Sequence, residues 1–189
     1  MVNIYKPEFS LLQQEILRYL FIKAGVTFNA RGLARHLNRT QAGIVKVLPE
    51  LEKQGLVKVK KDKDSGRWSI EFNRDNQKAI DLKRVENMKM IYESKLIEFL
   101  EDCFPGCTIM LFGSYSRGYD VWAGESEKHV SDIDIAIIGI KGKEINLTKY
   151  NKILERNIVI NFYSSFKVIH KHLKDNILNG IILSGGVDL

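Results

Sequence analysis

Residues 108–114 of the chain are TIMLFGS, and residues 131–138 are SDIDIAII, two apolar stretches that carry polar residues at one end. Side chains two apart on a β-strand point to the same face, so Asp132 and Asp134 lie together while the isoleucines fill the core behind them. Carboxylate oxygens are good ligands for a divalent cation, and two buried acids without a cation would be costly. The pattern therefore predicts a metal site on a buried strand.

A glycine-serine pair ends the first of these stretches. Thr108–Phe112 is predicted to be a buried strand, Gly113 and Ser114 the turn after it, and Tyr115–Gly118 the start of a helix. Backbone amides at such a turn, together with the Ser114 hydroxyl, form an anion site suited to the phosphates of a nucleotide. The turn is therefore a candidate nucleotide-binding element.

Length and composition limit the classes of protein to consider. A chain of 189 residues with 44% hydrophobic residues holds one ordinary domain or two small ones. No apolar run reaches the length of a membrane span, and residues 1–8 lack the apolar core of a signal peptide, so we expect a cytoplasmic protein with no membrane partner. The two cysteines, Cys103 and Cys107, are too few for a disulfide framework.

The excess positive charge lies in the first part of the chain. Residues 1–78 hold 15 Lys and Arg against 8 Asp and Glu, a net charge of +7, whereas residues 79–189 hold 14 against 15, a net charge of −1. This asymmetry is typical of a nucleic-acid-binding module fused to a domain with another role. Charge alone leaves open a solvated basic surface with no nucleic-acid partner.

The basic part has the periodicity of three helices followed by a hairpin. Helical spacing predicts a first helix from Leu12 to Gly25, and Asn29 and Thr40 are predicted N-caps of the second and third. Residues 57–72 then alternate apolar and polar side chains around a polar turn, which predicts two strands. Pro49 lies inside the third helix and is expected to bend it, because proline cannot donate the helical hydrogen bond.

Three helices followed by a basic hairpin resemble the winged helix-turn-helix of bacterial and archaeal transcription regulators, over roughly residues 8–73. The resemblance implies double-stranded DNA as the partner, with the start of the third helix in the major groove and the hairpin, or wing, on the phosphates. A winged helix that serves protein contacts is the alternative, and the clustered cations favour DNA. The predicted DNA-binding residues are Arg39, Thr40, Gln41 and Lys46 around the third helix and Lys60, Lys61, Lys63 and Arg67 on the wing, with Arg31 and Arg35 of the second helix in reach of the backbone.

A long helical pattern joins the two parts of the chain from about Ala79 to Asp102. Its predicted apolar stripe consists of Val85, Met88, Tyr92, Leu96 and Phe99. The stripe either packs on the second domain or pairs with its copy in a homodimer, which would raise DNA affinity through avidity. The sequence leaves both uses open.

The second part of the chain resembles the nucleotidyltransferase superfamily that includes DNA polymerase beta and kanamycin nucleotidyltransferase, and is most similar to its minimal, small prokaryotic members. The order strand, Gly-Ser, Arg-Gly, loop, Ser-Asp-x-Asp carries this resemblance. It implies Mg²⁺ and a nucleoside triphosphate, with transfer of the nucleotidyl group to an acceptor hydroxyl and pyrophosphate as the leaving group. Asp132 and Asp134 are then catalytic metal ligands, Gly113 and Ser114 contact the triphosphate, and Arg117 is a phosphate-binding or a structural residue.

The family pattern has a third acid on a later strand, and this chain departs from it. The candidate strand, 157–163, holds no Asp or Glu, and Asn161 lies where that acid is expected. Glu155, just ahead of the strand, is the alternative. An amide oxygen can coordinate magnesium, so Asn161 is a candidate metal ligand. An amide cannot act as a base, so the missing carboxylate puts catalytic turnover in doubt. Further on, His170 and His172 are predicted to diverge on one helix and to make a poor metal pair.

The sequence therefore predicts an α+β protein. A winged helix-turn-helix occupies residues 1–78, a connecting helix residues 79–102, and a minimal nucleotidyltransferase domain, a mixed sheet with flanking helices, residues 103–189. The predicted function is a DNA-binding regulator whose second domain binds Mg²⁺ and a nucleoside triphosphate and transfers a nucleotidyl group to an unidentified acceptor. Two alternatives stay open: a nucleotide-sensing transcription regulator without catalysis, and an antitoxin-like nucleotidyltransferase that acts on a partner toxin.

Overall fold

A computed structural model describes residues 7–62, 66–122 and 130–187 of the chain. Within these ranges the protein is a mixed α+β structure with eight α-helices and two β-sheets. It divides into two compact units: unit 1 contains the described residues of Met1–Ala79 and Val121–Lys128, and unit 2 those of Ile80–Asp120 and His129–Leu189. None of the helices in the described ranges is long and apolar enough to cross a membrane.

Unit 1 consists of three helices and a two-stranded sheet. Its elements are α1 Leu11–Ile22, α2 Ala30–His36, α3 Gln41–Lys53, β1 Val57–Lys61 and β2 Trp68–Phe72. The structure confirms the predicted N-caps, since the side chain of Asn29 accepts a hydrogen bond from the Gly32 amide and that of Thr40 from the Gly43 amide. It also confirms the hairpin, in which β1 and β2 pair antiparallel.

One apolar core holds the elements of unit 1 together. Each helix contributes fully buried side chains to it, and β2 contributes Ile70 from the centre of the sheet; the helical members include Ile16, Leu20, Leu33, Ile44, Leu48 and Leu51. α3 continues past Pro49 to Lys53, and Pro49 itself is exposed. The core thus fixes α3 with its polar side outward, which positions the candidate DNA-binding residues.

Unit 2 is built around a four-stranded mixed sheet. Its elements are α4 Gln77–Glu93, whose first residues belong to unit 1, then α5 Leu96–Cys103, β3 Thr108–Phe112, α6 Gly113–Arg117, β4 Ile133–Ile138, α7 Thr148–Leu154, β5 Ile158–Tyr163, a 3₁₀ turn Phe166–Val168, α8 Lys171–Leu178 and β6 Ile181–Ser184. The strand order is β5-β4-β3-β6; β4 and β5 run parallel, and the other two pairs are antiparallel. A core on one face packs Met110, Phe112, Ala136 and Ile138 against Phe166, Ile169 and Ile177.

The predicted connecting helix is two helices in the structure. α4 ends at Glu93 and α5 begins at Leu96, with Lys95 between them in the left-handed conformation at φ 63°. The Ser94 hydroxyl stabilises the break, because it donates to the Ile91 carbonyl at 2.7 Å and accepts from the Leu96 amide at 3.3 Å. The prediction of one continuous helix over 79–102 is therefore wrong.

Over α4 the structure contradicts one of the two uses left open for the predicted apolar stripe, which is packing on the second domain. Val85 and Tyr92 are 66% and 56% exposed. The buried side of α4 instead carries Lys83 and Asn87, which are 0% and 1% exposed. A search for apolar periodicity misses this face because its central residues are polar.

The two histidines near α8 lie closer together than predicted. His170 is the N-cap residue of α8, with φ −58° and ψ 139°, and therefore precedes the helix that contains His172. The two ring centroids are 5.5 Å apart. The prediction that these side chains diverge is wrong, because it placed both residues on one helix.

Candidate functional site

The start of α3 presents the predicted base-reading residues. The Thr40 hydroxyl accepts from the Gly43 amide at 3.1 Å, so this side chain is used as the helix cap. Gln41 is the first residue of α3 and is exposed, as is Lys46 further along the helix. The two exposed side chains lie on the solvent side of α3, whereas Ile44 is buried on the other side.

Arg39 is held by an ion pair within unit 1. Its Nε lies 2.8 Å from Oε2 of Glu15 and its Nη2 lies 2.5 Å from Oε1, a bidentate contact between the α2–α3 turn and α1. The hydrogen bond, and then the charge of the partner, raise the pKa of Arg39, and the same hydrogen bond lowers the pKa of Glu15. A phosphate would therefore have to compete with Glu15 for this guanidinium.

The wing places further basic residues beside α3. Lys60 and Lys61 are exposed on β1, and Nζ of Lys61 lies 5.5 Å from the ring centroid of Trp68 on β2. Arg67 is exposed just before β2. Lys63, also predicted to contact DNA, lies outside the described residues.

A groove of about 500 Å³ runs between the helices and the wing of unit 1. Its lining residues are Asn29, Ala30, Arg31, Gln41, Gly66, Arg67 and Trp68. The fold thus brings the exposed start of α3 together with one arginine from α2 and one from the wing. Lys46, Lys60 and Lys61 do not line this groove.

In unit 2 the two predicted metal ligands and the Gly-Ser turn lie together. Asp132 immediately precedes β4, and Asp134 lies within β4, paired with Phe112 at the end of β3. A Cβ atom added to Gly113 would overlap Oδ2 of Asp134, so the carboxylate lies directly against the backbone of the turn. Gly113 also has φ +77°, a conformation that favours glycine.

The pKa of Asp134 is raised above the ordinary range of an aspartate. Burial raises the pKa of Asp134, and the negative charge of Asp132 raises it further. A bound cation would reverse both effects, because it favours the ionised carboxylates. By donor chemistry the two acids fit a divalent cation.

Ser114 and Arg117 lie at opposite ends of α6. Ser114 is partly exposed in the first turn of α6, next in the chain to Gly113. Nη1 of Arg117 donates to Oδ1 of Asn176 on α8 at 3.1 Å. The structure thus gives Arg117 a contact that holds α6 to α8.

The strand register places Asn161 two residues further along the sheet than Asp134, on the same face. In the parallel pair of β4 and β5, Asp134 lies opposite Val159, and Asn161 lies opposite Ala136, two residues further on. Glu155 is exposed at the end of α7. Among the described residues there is no cluster of three or more His, Cys, Asp or Glu side chains suited to a metal ion.

The amide that does lie beside the acids is Asn157. Its Nδ2 lies 3.3 Å from Oδ1 of Asp132, and its carbonyl oxygen accepts from the Ile133 amide at 2.8 Å. The sequence argument missed this residue because the register of two parallel strands depends on tertiary packing. The only signal in the sequence was its position at the start of the candidate strand.

Comparisons with known proteins give little further support. No protein-family model and no curated protein matches the chain. A solved complex of S. aureus MepR with DNA is similar, at 20% sequence identity, with a TM-score of 0.37 over 51% of this chain and 78% of that chain.

Proposed function

We propose that the protein is a DNA-binding regulator and that unit 1 binds double-stranded DNA. The observation that carries this proposal is the groove, which brings Gln41 at the start of α3 together with Arg31 and Arg67. A glutamine at an exposed helix start suits the edge of a base, and two arginines on either side suit backbone phosphates. The net charge of +7 over residues 1–78 supports a polyanionic partner.

Anisotropy with a labelled duplex of mixed sequence tests this proposal. Replacing both groove arginines, in Arg31→Gln/Arg67→Gln, should weaken binding roughly tenfold or more, because two phosphate contacts are lost. The matched control, Lys53→Gln/Arg74→Gln, removes the same charge from exposed positions outside the groove and should bind nearly as the unchanged protein. Equal losses in the two variants would contradict a role for the groove.

For unit 2 we propose a site for Mg²⁺ and a nucleoside triphosphate. The proposal is supported by Asp132, Asp134, Gly113 and Ser114, which come together at the end of β3, and by the raised pKa of Asp134. Bound Mg²⁺ would carry the triphosphate and lower the pKa of an acceptor hydroxyl. The carboxylates would hold the ion, and the Ser114 hydroxyl and neighbouring amides would orient the phosphates.

Nucleotidyl transfer, the finer part of the proposal, makes further demands on unit 2. Transfer forms a bond from the acceptor oxygen to the α-phosphorus and breaks the bond to pyrophosphate, so the acceptor proton needs a base. Val159, beside Asp134, cannot take a proton, and the amide of Asn157 cannot either. Either Asp132 or Asp134 could take that proton, but it would then serve both as base and as ligand, so transfer requires more of these two acids than nucleotide binding does. A nucleotide-sensing regulator requires the binding alone.

Labelling with α-³²P nucleotides separates these functions. The protein is incubated with Mg²⁺ and each of ATP, CTP, GTP and UTP, with and without lysate, beside Asp132→Ala/Asp134→Ala and the control Asp175→Ala, an exposed acid of α8. Nucleotide that is bound but not transferred supports the sensor, and label on an acceptor, lost only in the double variant, supports the enzyme. Label confined to a small protein of the lysate supports the antitoxin-like function. No binding and no transfer would contradict the proposal for unit 2.

A further inference from the structure

Four polar side chains are buried together in unit 2 and form what we call the Asp120 cluster: Lys83, Asn87, Asp120 and Arg156, each at most 4% exposed. Oδ1 of Asp120 accepts from Nζ of Lys83 and, at 2.8 Å, from Nδ2 of Asn87. Oδ2 accepts from Nη2 of Arg156 at 3.2 Å. The Asp120 carboxylate, in the segment after α6, is thus bonded to α4 and to Arg156, which lies just before β5.

Stability alone does not account for the Asp120 cluster. Removing charges from water costs free energy that the attraction within a buried ion pair often only balances. Apolar side chains of similar volume at such positions commonly give equal or higher stability. What the cluster supplies beyond packing is a fixed geometry.

On one side the cluster is connected to the Gly-Ser turn. Nδ2 of Asn87 also donates to the Tyr115 carbonyl of α6 at 2.9 Å. Within α6, the buried Ser116 hydroxyl donates to the Gly113 carbonyl at 2.9 Å. The end of α6 lies so close to α4 that a Cβ atom on Gly118 would be 2.6 Å from the Ile80 carbonyl oxygen. Movement of α6 relative to α4 is therefore restricted.

On the other side the cluster is connected to the acids. Arg156, which binds Asp120, is followed in the chain by Asn157. Asn157 contacts the Asp132 carboxylate through its side chain and the Ile133 amide through its carbonyl. Asp120 thus connects to both halves of the candidate site, the phosphate-binding turn and the start of β4.

We propose that the Asp120 cluster positions the metal and nucleotide site of unit 2, by holding the Gly113–Ser114 turn and Asn157 at a fixed distance from each other across Asp132 and Asp134. The role rests on the function proposed for unit 2. None of the four residues touches the cation or nucleotide; they act through α6 and Asn157. Outer residues that orient metal ligands commonly change metal affinity about 10–100-fold when they are replaced.

An apolar replacement of the charged residues separates positioning from stability. In Lys83→Met/Asp120→Leu/Arg156→Met the unfolding midpoint should be unchanged or higher, whereas affinity for Mn²⁺, followed by the electron paramagnetic resonance of the free ion, should fall about tenfold or more. A second variant, Asn87→Leu, keeps all three charges but removes the hydrogen bonds of Asn87 with the Tyr115 carbonyl, Asp120 and Lys83. It should also weaken Mn²⁺ binding about tenfold. The control Lys89→Met changes an exposed lysine of α4 and should bind Mn²⁺ as the unchanged protein does.

Each result of this experiment decides a different question. A folded triple variant, or a folded Asn87→Leu variant, that binds Mn²⁺ as tightly as the unchanged protein overturns the positioning role and leaves the proposed function intact. If the triple variant does not fold, Asn87→Leu alone decides. If the unchanged protein binds no Mn²⁺, the proposed function of unit 2 fails, and the positioning role fails with it.

Discussion

Replacing Gly113 by alanine tests whether the Gly-Ser turn and the Asp134 carboxylate are held against each other. We expect two separate losses in the free energy of unfolding. The left-handed backbone at φ +77° costs about 1–2 kcal/mol for a residue with a Cβ atom. The Cβ atom would also overlap Oδ2 of Asp134, and turning the carboxylate away costs about 1 kcal/mol more through an unfavourable rotamer.

Gly106→Ala is a matched control for the first cost. Gly106 has φ +78°, and a Cβ atom there would meet nothing within 4 Å. We therefore expect a loss of about 1–2 kcal/mol for Gly106→Ala and about 2–3 kcal/mol for Gly113→Ala. Only Gly113→Ala should also weaken Mn²⁺ binding, by about tenfold, because it displaces the carboxylate of Asp134, which we propose as a ligand.

A double-mutant cycle isolates the contact between the two residues. In an Asp134→Ala background the overlap is gone, so the cost of Gly113→Ala should fall to that of Gly106→Ala. The assay is urea unfolding of the metal-free protein by circular dichroism, with tryptophan fluorescence in parallel. Both tryptophans, Trp68 and Trp122, belong to unit 1, so their fluorescence follows the unfolding of that unit. The reasoning is refuted if Gly113→Ala costs no more than Gly106→Ala, or if the cost is the same with and without Asp134.

Three further predictions concern single side chains. Asp134→Asn should raise the free energy of unfolding of the metal-free protein at neutral pH, because a raised pKa means that ionised Asp134 destabilises the fold. Urea titrations should show this gain disappear as the pH falls below the raised pKa, because Asp134 of the unchanged protein is then protonated. Thr40→Ala should lower stability by about 1 kcal/mol in thermal unfolding, and Thr40→Ser, which keeps the cap, by much less. Glu15→Gln should tighten duplex binding more than Glu8→Gln, which makes the same charge change, because only the first releases Arg39; equal anisotropy titrations would contradict this.

Local signals in the sequence predicted much of the fold. Asn29 and Thr40 were predicted as N-caps because a short polar side chain just before an apolar helical repeat can accept a hydrogen bond from a free amide of the first turn. The alternation of apolar and polar side chains over residues 57–72 predicted the hairpin, and the apolar run with two acids predicted β4. Each of these signals lies within about ten residues of the structure that it predicts.

The failures concern contacts between residues far apart in the chain. The inner face of α4 was missed because Lys83 is buried by Asp120, 37 residues later, and no periodicity of apolar residues reveals such a pair. The ion pair of Arg39 with Glu15, 24 residues earlier, was also missed, because no local signal predicts it. The contact of Asn157 with Asp132 was missed because the register between β4 and β5 is not encoded in either strand alone.

The proposal that unit 1 binds DNA through its groove and wing is best tested by the salt dependence of duplex binding. Each lost phosphate contact should reduce the slope of log affinity against log salt by about 0.9, so Lys60→Gln/Lys61→Gln/Arg67→Gln should flatten it by nearly three. Lys53→Gln/Arg74→Gln, which changes residues outside the groove and the wing, should keep the slope of the unchanged protein. Binding that does not depend on salt, or an equal slope in the wing variant, would contradict DNA as the partner of this surface.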